Sequence, residues 1–153
     1  HPARYALCEA VNVYDEGIRF EAIHRIVKNV DAKKFAEGFS AKRGDCDCAL
    51  YVRGEKFPLR FGGDAPGAIA EADEYIAAYI AENGGTVDYI HGEDALRALT
   101  EQDASSVGIA LPKMDKAALF PLVKKYGSLP RKTFSMGESE EKRYYIEGRV
   151  IVK

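Results

Sequence analysis

The chain has 153 residues, of which 46% are hydrophobic and 30% charged, and a formal net charge of −2. That length supports a single domain with a real core, and the composition is ordinary for a globular protein. No apolar run approaches the roughly 20 residues of a membrane helix and no signal peptide is visible, so no membrane partner is expected.

The small net charge hides an asymmetry. From Asp64 to Asp103 there are ten acids and one base; from Pro112 to Lys132 there are six bases and one acid. An acidic lobe is therefore followed by a basic one. The basic part favours small anions, a phosphate or a carboxylate. It is too short and too poor in interleaved aromatics for nucleic acid. Of the three cysteines, Cys46 and Cys48 lie two apart on a predicted strand. They read as small buried hydrophobes in a reducing, cytoplasmic setting. A zinc site would need more ligands at a recognisable spacing. No metal is expected, and no spacing specifies a cofactor.

In chain order, Tyr5 to Tyr14 and Ile18 to Val27 are rich in β-formers, and Asp15-Glu16-Gly17 between them reads as a three-residue hairpin turn. That register sets Cys8 opposite His24 and places His24 on a core face, with Arg25 on the other. It also makes Glu9 and Arg25 a cross-strand ion pair. His24 reads first as a hydrogen-bonded core histidine and second as a catalytic acid or base. Asp31 caps a helix over 32–42 carrying Phe35 and Phe39 at i, i+4. Cys46 to Arg53 and Glu55 to Phe61 form a second hairpin about Gly54, with Pro58 marking an edge strand. Asp64 or Ala65 caps a helix with Pro66 in its first turn and a stripe of Ile69, Ala72, Ile76 and Ile80. The glycines before it match no phosphate-binding fingerprint. Asn83-Gly84-Gly85 closes that helix.

A short strand over 86–90, a short helix over 93–99 and a buried-type strand over 106–111 follow; the two strands are expected to pair in parallel. A helix over 115–126 carries Leu119, Phe120, Val123 and Tyr126 on one side. Pro121 conflicts with its early start and should kink it or delay it. A last strand is expected over 142–152. The fold class is α+β: one domain over residues 1–153, a mostly antiparallel sheet with about four helices packed on it.

The stretch from Leu129 to Tyr145 concentrates chemistry. It carries the cation pairs Arg131-Lys132 and Lys142-Arg143, hydroxyls at Thr133 and Ser135, and Gly137. Such a set can hold an anion. It also contains three glutamates, so the plainer reading is a surface loop whose charges pair among themselves. The ligand-binding candidates are Arg25, Arg131, Lys132 and Arg143, and the weak catalytic candidate is His24.

The strings His1-Pro2-Ala3-Arg4-Tyr5-Ala6-Leu7, Val11 to Asp15 and Ile23-His24-Arg25 resemble a family signature. So do Leu129 to Glu138, Glu141 to Tyr145 and Val87 to Gly92. Together they are similar to the bacterial and archaeal family known as domain of unknown function 1015, over essentially the whole chain. The resemblance implies the C-terminal part of a longer protein, in keeping with a first residue that is His1 rather than methionine. The family's N-terminal half carries a glycine- and histidine-containing motif similar to ParB-like proteins, some of which phosphorylate small molecules. The resemblance supplies no residue roles and no reaction. Two functions are therefore expected in parallel. One is the accessory part of a small-molecule enzyme, binding an anionic ligand and working with its own N-terminal half. The other is a non-catalytic homodimerisation or regulatory ligand-binding module.

Overall fold

The computed structural model describes residues 4, 8, 10–39, 46–61 and 63–137. The arm Tyr5–Tyr14 falls partly outside them, and the strand expected over 142–152, with Arg143, wholly so. Strand β1 (Phe20–Lys28) is followed by α1 (Ala32–Phe39), the hairpin β2 (Cys46–Val52) and β3 (Glu55–Phe61), and the long helix α2 (Ala65–Asn83). Then come β4 (Thr86–His91), α3 (Glu93–Gln102), β5 (Val107–Ala110), a 3-10 turn (Lys116–Ala118), α4 (Leu119–Tyr126) and β6 (Phe134–Met136). Among the described residues every strand pairing is antiparallel, so the α+β class holds. Among the described residues no helix is long and apolar enough to cross a membrane.

The sheet order is β3-β2-β5-β1-β4, with β6 pairing the start of β1. Four consecutive buried residues, His24 to Val27, mark β1 as a central strand covered on both faces. Its odd positions face α1 and α2. There Val27, Leu50 and Ile109 join Phe35, Phe39, Ile69, Ala72, Ile76 and Tyr79 in the main core. Its even positions face α3, where Ile26 joins Ala49, Tyr51 and Leu96. Rings fill the larger core edge-on: Phe35 meets Tyr75 at 5.1 Å and Tyr79 at 4.8 Å, and Phe39 meets Phe61 at 5.1 Å.

Two strand expectations are corrected. His24 is buried as expected, but its cross-strand neighbour is Ile90 of β4, not Cys8, which is exposed. The cause is local. Asn12 Oδ1 accepts from the Tyr14 N–H, and Asp15 Oδ1 accepts from the Gly17 N–H. Backbone bonds from Asp15 to Asn12 and from Ile18 to Asp15 complete two successive turns where a hairpin loop was expected. Beyond these turns β1 accepts β4 on one side and β5 on the other. Those two strands therefore share a direction but do not touch, a split β-α-β arrangement.

Elsewhere the expected signals hold. Arg53 and Gly54 both have positive φ, 53° and 78°, which the tight β2–β3 turn requires. Pro58 lies on β3, at one end of the strand order. Asp64 caps α2 by accepting from the Gly67 N–H. Pro121 delays its helix: the 3-10 turn intervenes, and the proline sits in the first turn of α4. On the apolar side of α4, Phe120, Val123 and Tyr126 are all exposed.

Candidate functional site

Position 25 on β1 points an arginine at the helical face, where a charge must be neutralised or excluded. Arg25 is 0% exposed. Its Nε donates to Asp73 Oδ1 and its Nη2 to Asp73 Oδ2, both at 2.9 Å, a planar fork on a carboxylate from α2. Nη1 donates to the carbonyls of Ile23 at 2.7 Å and Lys132 at 2.9 Å, and Nη2 also to that of Arg131 at 3.0 Å. All five N–H groups of the guanidinium are thereby used. Arg25 thus has no donor left for a ligand; it holds the backbone of the turn that bears the next two candidates. Its carboxylate is Asp73, while Glu9, the expected cross-strand partner, lies outside the described residues.

The turn is built tightly. Thr133 Oγ1 donates to the Pro130 carbonyl, and Lys132 takes a positive φ of 57°, a strained state for a residue with a side chain. Its side chains spread around Tyr89 of β4, the cross-strand neighbour of Arg25. Arg131 Nη2 donates to the Tyr89 hydroxyl at 3.1 Å. Three cations surround that ring, at 5.0 Å for Arg25, 5.5 Å for Arg131 and 6.0 Å for Lys132. Arg131 and Lys132 are exposed, and among the described residues no carboxylate pairs with either.

Three other basic side chains of the 112–132 segment are already engaged. Lys113 pairs with Glu21, Lys116 donates to the carbonyls of Asp15 and Ile18, and Lys125 pairs with Asp64 at the start of the acidic helix α2. The acidic and basic lobes therefore meet at Asp64. Burial pushes the Asp64 carboxyl up, but hydrogen bonds from Tyr126, the Gly67 N–H and Lys125 outweigh it and hold it below the usual range.

His24 belongs to a different cluster, on the α3 face. Its Nδ1 accepts the Leu111 N–H at 3.1 Å, which fixes the neutral tautomer with the proton on Nε2. Burial lowers its pKa, opposed by the charge of Glu93 and reinforced by His91, Arg25 and Lys56. Glu93, the first residue of α3, receives the Tyr51 hydroxyl and the Lys56 ammonium on one oxygen, both at 2.5 Å. Those bonds hold the Glu93 carboxyl low, while burial and the same carboxylate push the Tyr51 phenol up. His24 and Arg25 thus serve opposite faces of the sheet.

Sequence reasoning missed Asp73, Tyr89, Tyr51, Lys56 and Glu93. Asp73 lies outside the stripe of Ile69, Ala72, Ile76 and Ile80, and only the tertiary fold brings it to Arg25. Tyr51 and Lys56 become neighbours only through the β2–β3 register, which pairs them directly. No protein-family model, curated protein or solved structure matches the chain.

Proposed function

We propose that this chain binds a small anionic molecule, through a phosphate or carboxylate group, at the turn Pro130–Thr133. The observation that carries the reading is that Arg131 and Lys132 have no carboxylate partner among the described residues, while a buried arginine fixes their backbone. Surface cations left to themselves gain little from order; here the ordering is done by Arg25 and Asp73, and the charges are presented outward. In this reading the chain is the accessory part of a small-molecule enzyme and a member of the domain of unknown function 1015 family. Its catalytic groups then lie partly on an N-terminal half.

The test is phosphate binding by calorimetry at low salt, with the melting temperature as a control. Arg131→Ala with Lys132→Ala should abolish most of the affinity, since each charge-assisted contact contributes about 1.5–3 kcal/mol. The melting temperature should barely move, because Arg25 bonds to the turn's carbonyls. Unchanged binding in the double variant would return both residues to the solvated surface.

One observation favours the second reading, a homodimerisation or regulatory module. Tyr14, Phe120, Val123 and Tyr126 are exposed, and Tyr14 and Phe120 lie 6.5 Å apart. Sedimentation at low and high salt separates the two readings, since an apolar interface persists in salt.

A further inference from the structure

A groove opens beside the cationic turn. It is lined by Pro66, Gly67 and Ala70 of α2 and by Tyr126, Leu129 and Pro130, and encloses about 300 Å³. Leu129 and Pro130 lead directly into Arg131, so the backbone that bears the cation pair continues from the wall of the groove. The same face of α2 continues past it. Pro66, Ala70 and Asp73 follow one another at i, i+4 and i+7, and Asp73 is the residue that anchors Arg25. Groove and turn are therefore built on one helix face, with apolar walls at one end and, at the other, two cations that no carboxylate among the described residues pairs with. At the far end Asp64 holds Lys125 and Tyr126 together, at 3.1 Å and 2.8 Å, so the charge there is already neutralised.

We propose that the ligand of this site is an amphiphilic organic anion. A compact apolar body of about one ring lies against Pro66, Ala70, Tyr126, Leu129 and Pro130, and its acidic group is carried by Arg131 and Lys132. The inference rests on the anion-binding reading above and narrows it. The volume is at the small end of the ligand-pocket range of about 300–1,000 Å³, which suits a ring or a short chain and not a nucleotide. The electrostatic polarity sets the orientation of the ligand: acid toward the turn, body toward Tyr126.

The experiment compares inorganic phosphate with phenyl phosphate on the parent chain and two variants, by calorimetry. Phenyl phosphate should bind the parent at least tenfold more tightly, because the ring leaves water for the groove. Ala70 is exposed, so Ala70→Phe fills the groove without entering the core. It should reduce the phenyl advantage to within twofold and leave inorganic phosphate unchanged; Ala70→Leu should do the same in part. Arg131→Ala with Lys132→Ala should weaken both ligands. Equal binding of the two ligands by the parent, with both lost in the double cation variant, would overturn the groove and leave the anion site standing. A phenyl advantage that Ala70→Phe does not touch would also overturn it. Failure of both ligands to bind the parent would overturn both readings.

Discussion

Arg25 carries a full charge with none of its surface exposed, whereas the Asp73 side chain is 33% exposed. That inequality decides what each substitution does. Removing the partner of a buried charge costs about 3–5 kcal/mol. Asp73→Ala should cost less, about 2–3 kcal/mol, because solvent reaches the pair and Arg25 keeps three carbonyl acceptors. Chemical denaturation measures this. Arg25→Lys should be worse than its conserved charge suggests, since an ammonium cannot span a carboxylate and three carbonyls at once. Both variants should also weaken anion binding without touching Arg131 or Lys132, because the turn loses its support. Normal phosphate affinity in a folded Arg25→Lys chain would show that the turn holds its shape unaided.

Among the elements, α3 packs against several strands of the sheet and comes very close to it at Gly108. A Cβ added at Gly108 of β5 would lie 2.8 Å from Leu96 Cγ and 3.0–3.1 Å from both its methyls. Leu96 is fully buried and cannot retreat. Gly108→Ala should therefore push α3 outward and cost about 1–3 kcal/mol. It should also displace Glu93 from Tyr51 and Lys56, visible as a changed Tyr51 titration. Much at this scale was legible in the chain. Asp64 with Pro66 announced α2, Gly54 the second hairpin, Pro58 an outer strand, and Pro121 the delayed start of α4. The partners of β1 were not legible. Asp15-Glu16-Gly17 has the composition of a hairpin loop, yet side-chain oxygens of Asn12 and Asp15 turn the chain locally. Which distant strands then flank β1 depends on packing that no local pattern records. The candidate site divides the same way. Arg131 and Lys132 stood out by composition, whereas Asp73 and Tyr89 join them only through tertiary contacts. Arg25 stood out too, but as a charge to be offered; burial made it a scaffold.

For the molecule as a whole, two kinds of group set the response to acid. His24 is held neutral by burial, its pKa lowered from 6.5. Below pH 6.5 the unfolded chain takes up a proton that the folded chain refuses, so stability falls with pH from there down to the folded pKa. Glu93, lowered from 4.5, contributes stability that is present above that value and lost as pH falls through its folded pKa. Both signs agree: acidification destabilises, His24 acting first. His24→Asn keeps an acceptor for the Leu111 N–H but does not titrate. Its melting temperature should be flatter than the parent's as pH falls below 6.5, and the two slopes should converge once the folded pKa of His24 is passed. Parallel curves over the whole range would mean that His24 titrates as it does in the unfolded chain.

The place of β1 in the middle of the sheet has a consequence for biosynthesis. The ribosome delivers this largely buried strand well before β4, β5 and β6, which complete it and are encoded far downstream. At about 5–20 residues per second, the wait between Lys28 and Thr86 alone is about 3–12 s. Through that interval the nascent chain carries a β-prone segment with both edges open, a natural client for holdase chaperones. Slowed translation between α2 and β5 should lower the soluble yield of this chain more than equal slowing after β6.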